Sequence, residues 1–206
     1  MKLYDYLPSG NGYKVRLILA HRGLRYDYVP VDIMNGETRT AEFLARNPNG
    51  RIPVLELYDG THLCESNAIL FYLAQGSGLW PAELLEQAQV MQWLFFEQYS
   101  HEPNVATARF WLGWLKPEPT PYYVEALARK QEAGRAALQV METHLAAHPF
   151  FVGDRYTIAD IALYAYTHVA PEGGFDLSPY PCVRAWLDRV RSQSGHVELS
   201  QYPSQS

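Results

Sequence analysis

An α/β domain followed by an all-helical one is predicted for this chain of 206 residues by three observations. Short strand-like runs alternate with helical ones up to residue 75. A Gly/Pro-rich break then stands at Gly76-Ser77-Gly78-Leu79-Trp80-Pro81, where we place the linker. Beyond it the apolar residues recur at helical spacing. The expected domains are therefore 1–76 and 83–206, and a hydrophobic content of 48% with 14% aromatics supplies a packed core at this length.

Lys2–Tyr6 reads as a short strand, and Pro8-Ser9-Gly10-Asn11-Gly12 as a turn-rich loop. Val15, Ile18 and Leu19 mark a helix over Tyr13–Arg22 that Gly23 ends. A second strand is expected over Tyr26–Ile33 and a helix over Thr38–Arg46, stopped by Asn47-Pro48-Asn49-Gly50. Val54–Tyr58 and Thr61–Cys64 flank the dipeptide Asp59-Gly60, a hairpin turn whose residues accept the positive φ it needs. Ala68, Ile69, Leu70, Tyr72 and Leu73 then carry a third helix. Strand-helix-strand followed by helix-strand-strand-helix is a thioredoxin-like layout.

In the second domain Leu84, Ala88, Met91 and Phe95 begin a long amphipathic helix. Pro103 is expected to kink its continuation through Ala106, Phe110 and Trp114. Lys116-Pro117-Glu118-Pro119-Thr120-Pro121 forms a stiff break, and Val124, Leu127, Leu138, Met141 and Leu145 mark the next helix, ending near Pro149. Thr157-Ile158-Ala159-Asp160 has the pattern of a capping box with Asp in place of Glu, flanked by Tyr156 and Ile161 at staple spacing. The helix it opens, Ile158 to Val169, is apolar on nearly every face and should be the buried centre of this domain. Val183–Val190 is the last helix before a polar tail.

A formal charge of −5, a pI near 5.8 and no basic cluster disfavour nucleic acid as a partner. No apolar run approaches the roughly 18–20 residues that span a bilayer. The N-terminus reads as a strand start and lacks the apolar run of a signal peptide, so a cytoplasmic protein is the expectation. Cys64 and Cys182 are the only cysteines, and the seven histidines are scattered apart from His144 and His148, a lone pair four residues apart, so no metal is assigned.

Arg51-Ile52-Pro53-Val54, followed by Glu65-Ser66, describes a device for grasping a peptide. A proline at a strand start is tolerated there or as a cis turn. With a cis bond, the N–H and C=O of Ile52 face a cleft and can pair with a short extended peptide. Ser66, at a helix start, offers its hydroxyl and backbone N–H to an anion, assisted by the helix dipole. Glu65 can take an ammonium. A small zwitterionic peptide fits this pattern, although either piece alone reads better as a proline-initiated strand or an ordinary N-cap.

Together these pieces resemble the cytosolic glutathione transferase superfamily, a resemblance that covers almost the whole chain in the family's order. It rests on Ser9 with Lys14-Val15-Arg16-Leu17, on Asn47-Pro48-Asn49-Gly50-Arg51-Ile52-Pro53-Val54-Leu55, on Glu65-Ser66-Asn67-Ala68-Ile69 and on the Thr157–Asp160 box. The resemblance implies a thioredoxin-like domain that holds glutathione, a helical domain that shapes a second-substrate pocket, and a homodimer. Ile52 is implied to pair with the cysteinyl backbone, Pro53 to be the family's cis-proline, Glu65 to meet the γ-glutamyl ammonium and Ser66 its carboxylate. Arg51 stands near the glycyl end, with Asn49 a weaker candidate.

Catalysis of this kind needs a glutathione thiolate, and a free thiol is mostly protonated at neutral pH. A helix N-terminus and a hydroxyl or amide donor aimed at sulfur favour the anion. The resemblance puts Ser9 at the usual catalytic serine position, with Asn11 two residues on. Some bacterial relatives with a Ser or Thr and an Asn in this loop act as disulfide-bond reductases, so both donors are candidates, Ser9 ahead. The plain alternative for Ser9 is an N-cap in a turn. Tyr4 and Tyr6, at strand spacing, are assigned to packing, and Cys64 to buried packing. Tyr99, His101, Phe110, Trp111 and Trp114 are named for an apolar pocket, with core packing the stronger expectation. Side chains of the helical domain and the tail from Ser192 to Ser206 are expected to set that pocket.

The leading function is a glutathione transferase acting on a small hydrophobic electrophile, with no metal or organic cofactor beyond glutathione itself. A glutathione-dependent disulfide-bond reductase or peroxidase is the alternative enzyme. A non-catalytic binding module on the same fold is the third reading, and dehalogenase or isomerase chemistry also occurs in the superfamily.

Overall fold

The computed structural model describes residues 1–202. Two compact units divide the chain, one formed by Met1–Ser77 with the chain from Ser194 on, the other by Gly78–Gln193. No helix among the described residues is long and apolar enough to cross a membrane.

In the first unit a four-stranded sheet has the order β2-β1-β3-β4, with β1 (Lys2–Asp5), β2 (Asp27–Pro30), β3 (Val54–Glu56) and β4 (His62–Cys64). β1 pairs parallel to β2 and antiparallel to β3, and β3 pairs antiparallel to β4. The helices are α1 (Gly10–His21), α2 (Ala41–Arg46) and α3 (Ser66–Ala74). α1 packs on α3, with Leu17, Ile18, Ile69 and Leu70 fully buried. Tyr4, Val31, Phe43 and Val54 form a second apolar cluster that Val29, Ile52 and Cys64 extend. This is the expected thioredoxin-like layout.

Several boundaries differ from the sequence reading by one to three residues, and three of them have a plain cause. α1 begins at Gly10 instead of Tyr13, because Ser9 caps it by accepting from the Gly12 N–H at 3.4 Å. Glycines that read as loop are thus the first helical turn. β2 stops at Pro30, since Asp32 Oδ1 accepts from the N–H groups of Met34 and Asn35 and turns the chain. Thr40 is the N-cap of α2, accepting from Phe43 N–H at 3.2 Å, and Thr38 lies in a separate 3-10 turn at Glu37–Arg39.

The second unit holds α4 (Leu84–Phe96), α5 (Glu102–Phe110), α6 (Pro121–Leu145), α7 (Ile158–Thr167) and α8 (Pro181–Arg191). Pro103 lies in the first turn of α5, after a π-helical turn at Glu97–His101, so its missing N–H falls where a helix start tolerates it. Every residue of α7 is buried, and both bonds of the Thr157/Asp160 capping box are present.

The tail, expected with the helical domain, belongs to the first unit. Tyr13 donates its hydroxyl to Val197 O at 2.6 Å and Arg16 Nη1 donates to Leu199 O at 2.8 Å. His21 Nδ1 lies 2.8 Å from Ser194 O. Three side chains along α1 hold the tail through its backbone, which leaves no apolar signature in the tail's own sequence. The part of that expectation at residues 203–206 lies outside the described residues.

Candidate functional site

The strand register brings three segments to one end of the sheet. Tyr4 opposes Val54, and Val54 opposes Cys64. The end of β1 therefore leads into the Ser9 loop beside the start of β3, and the end of β4 leads into Glu65 and Ser66 next to it. Ser9, Asn11, Ile52, Pro53, Glu65 and Ser66 follow from that one register.

The Ile52-Pro53 bond is cis. Ile52 packs its side chain into the Tyr4/Phe43/Val54 cluster. Its backbone N–H and C=O form no hydrogen bond among the described residues. The loop before it is organised by Asn47, 5% exposed, which donates Nδ2 to Arg51 O at 2.7 Å and accepts from the Asn49 N–H at 3.1 Å. Arg51 is exposed. Arg39 Nη1 donates to Asn49 O at 3.3 Å.

Glu65 stands at φ 67°, ψ 114°, a positive φ that non-glycine residues seldom adopt, immediately before α3. It is exposed and its side chain makes no capping bond. Ser66, 5% exposed, is the first helical residue. Its hydroxyl donates to Asn11 Oδ1 at 3.2 Å, so its side-chain proton is committed and an anion at α3 would be met by the backbone N–H.

Asn11 is half-buried in the first turn of α1. Its Oδ1 also accepts from Lys14 Nζ at 2.8 Å, and Lys14 Nζ lies 3.4 Å from Ser66 Oγ. Lys14 is fully buried. The sequence reading used Lys14 only as a marker of resemblance and missed it as part of the site. The available signal was its i, i+3 spacing from Asn11 on a helix whose neighbouring positions are apolar. Ser9, half-buried, is the N-cap, and its hydroxyl keeps a proton to donate while it accepts from Gly12.

Beneath this turn lies Asp5, fully buried, whose carboxylate occupies the space a Cβ on Gly12 would need. Asp5 accepts from Arg16 Nε at 3.1 Å and from the Tyr6 N–H at 2.7 Å. Burial nevertheless pushes its carboxyl up to about 7, against the guanidinium and the Tyr6 N–H that pull it down.

The remaining sequence candidates divide. Tyr4 donates to Glu56 Oε2 at 2.7 Å and is buried, as packing predicted. Cys64 is half-buried, and burial followed by the Glu65 charge pushes its thiol up, away from reactivity. His101 is fully buried and its Nε2 lies 3.0 Å from Thr167 Oγ1. Tyr99 is exposed beside a groove of about 310 Å³ lined with Phe96, Asn104 and α6 residues including Ala136 and Val140. Phe110 stacks on Trp114 at 6.4 Å, and Trp111 contacts Tyr123. His101 and Tyr99 therefore do not line one surface.

Residues 1–75 match the family model described as glutathione S-transferase, N-terminal domain, and residues 124–189 match that of the C-terminal domain. A solved glutathione S-transferase from Pseudomonas fluorescens is 52% identical with a TM-score of 0.94, covering 97% of this chain and 98% of that one. The disulfide-bond oxidoreductase YfcG of Escherichia coli is 33% identical over 91% of this chain and 89% of its own. The yeast protein Ure2p, solved in complex with glutathione, is 27% identical with a TM-score of 0.83, covering 94% of this chain and 90% of that one.

Proposed function

The chain belongs to the glutathione S-transferase family, and we propose that it binds glutathione at the end of the sheet, activates its thiol and transfers the sulfur to a small electrophile. The observation that carries the reading is the 3.2 Å bond between Ser66 and Asn11, which ties an anion-binding helix start to an amide donor at a second helix start. The N–H and C=O of Ile52 take the cysteinyl backbone between them, the α3 N-terminus takes the γ-glutamyl carboxylate, and Glu65 its ammonium. Arg51 serves the glycyl end.

Extended pairing at Ile52 directs the cysteinyl sulfur towards the first turn of α1. There the helix dipole, the Asn11 amide and the Ser9 hydroxyl favour the anion, and the thiol proton leaves to solvent. In transfer, the sulfur pair forms a bond to the electrophilic carbon while the leaving group departs with its own pair. Catalysis is mostly positioning and stabilisation of charge on sulfur. A homodimer belongs to the same reading, and size-exclusion chromatography at two concentrations checks it.

The test is an ultraviolet difference spectrum of bound glutathione across pH, with S9A and N11A alongside. A thiolate signal at neutral pH that one variant loses supports the mechanism and names the donor; binding without any thiolate signal counts against it.

A second reading, reduction of disulfides, is supported by the likeness to YfcG. The thiolate then attacks one sulfur of a disulfide, and the other sulfur leaves as a thiolate. Activity on a mixed disulfide with none on aryl halides selects this reading. Failure to bind a glutathione column selects a non-catalytic module.

A further inference from the structure

We propose that Lys14 is a positioning residue of the thiol site, holding the Asn11 side chain in the one orientation that presents its amide N–H groups to the sulfur of glutathione. The proposal rests on the function proposed above and assigns a role to a residue outside the peptide-binding set.

The two ends of an asparagine amide have nearly the same shape and opposite hydrogen-bonding character. Turned one way, Asn11 offers a donor to a thiolate; turned the other, it offers an oxygen that repels one. Something must choose. An ammonium has three donors and no acceptor, so Lys14 Nζ, 2.8 Å from Oδ1, can face only the carbonyl end. Ser66 Oγ donates to the same oxygen at 3.2 Å, but a hydroxyl can serve either end of an amide, so the choice falls to the lysine, which lies 3.4 Å from that hydroxyl. The amide nitrogen is the other end of the same planar group.

Lys14 is fully buried at the start of α1, and ammonium groups are rarely enclosed in this way. A lysine that only filled space would be replaced without penalty by an apolar chain of its length. Here its charge sits behind the amide, polarising it and adding positive potential at the helix end already favourable to an anion. The couple runs from Lys14 through Asn11 to sulfur.

The experiment compares wild type, K14M, N11A and the double variant by thiolate absorbance of saturating glutathione across pH. Affinity for S-methylglutathione, which has no thiol, reports the grip separately. K14M is expected to retain that grip within about threefold while its bound thiol titrates about one unit higher, a tenfold fall in the thiolate-to-thiol ratio at a given pH. The double variant is expected to match N11A, since two residues acting through one amide do not add. An unshifted K14M, or a K14M shift that adds in full to that of N11A, overturns the proposal.

The amide is also read directly, by the side-chain ¹⁵N resonance of Asn11 in the unliganded protein. Loss of the lysine is expected to move that resonance, and an unmoved one overturns the orientation claim even if wild type binds no thiolate. Absence of a thiolate signal in wild type, by contrast, removes the proposed function itself. Should K14M fail to fold, K14R keeps the charge with a different donor geometry and is expected to give a smaller shift in both readings; no shift in either overturns the proposal.

Discussion

Asp160 Oδ1 accepts from the indole N–H of Trp186 at 3.0 Å, joining the cap of α7 to the helix that follows it in the core. The same carboxylate accepts from the N–H groups of Phe151 at 3.2 Å and Thr157 at 2.9 Å and from the Thr157 hydroxyl at 3.2 Å. A residue read from sequence as half of a local cap is thus the polar hub of the second unit.

That difference separates two substitutions. T157A removes the capping hydroxyl and is expected to cost about 1 kcal/mol. D160N replaces an acceptor oxygen with an NH2 group, which leaves at least one buried N–H unpaired even when the Thr157 hydroxyl turns to accept. We expect D160N to cost about 2–3 kcal/mol in urea unfolding, the scale of a buried donor left unsatisfied. Equal costs for the two variants would mean that the carboxylate serves the cap alone.

Gly12 carries a similar distinction. A methyl group there meets the Asp5 carboxylate, whereas at Gly113 it meets nothing within 4 Å. G12A must push Asp5 away from Arg16 inside the core, and a loss of about 2–4 kcal/mol is expected from overpacking and a weakened buried pair. G113A serves as the control and should be neutral or slightly stabilising. A fully stable G12A would show that Asp5 can move without consequence.

The layout of the first unit was legible because turn residues and apolar periods agreed with each other from β1 to α3. The Ile52-Pro53 and Glu65-Ser66 pairs were legible for a related reason, since proline and a helix-start serine mark backbone geometry as well as chemistry. Lys14 and the tail were not. A buried lysine looks in sequence like any surface lysine, because what distinguishes it is the amide it meets after folding. The tail is held by side chains of Tyr13, Arg16 and His21 acting on its carbonyl groups, and carbonyl groups carry no sequence signal. The start of α1 was misplaced because the Gly10 and Gly12 that permit close approach also imitate a loop.

Acid titration should show the buried Asp5. Its carboxyl ionises at about 7 in the folded protein against an ordinary value of 3.8, so between these limits the folded state holds a proton the unfolded state has lost. Stability from this group is complete below about pH 4 and is lost as pH rises through about 7. Asp160, raised by burial to about 6, acts in the same sense. His21 and His144, both lowered by burial, act in the opposite sense, so the difference between wild type and D5N is the quantity to follow. Wild type should lose more stability than D5N between pH 5 and pH 7.5, as measured by urea unfolding. Parallel curves would place the Asp5 ionisation outside that window.

Glu65 offers the sharpest separation of function from stability. Its φ of 67° and ψ of 114° place a side chain where glycine is favoured, at a strain of about 1–3 kcal/mol. The carboxylate is exposed and caps nothing, so the fold gains no compensating bond from it. A residue retained under those terms is expected to serve a ligand. E65Q keeps the backbone and removes the charge, so its melting temperature should stay close to that of wild type. Its affinity for glutathione should fall about tenfold, the scale of one charge-assisted hydrogen bond. E65G relaxes the backbone and should melt above wild type, because the strain relieved exceeds the roughly 0.5–1 kcal/mol that glycine's added freedom costs. It should bind glutathione no better than E65Q. If E65G melts below wild type, the side chain stabilises the turn and the strained backbone is structural; if E65Q binds as tightly as wild type, the ammonium is met elsewhere.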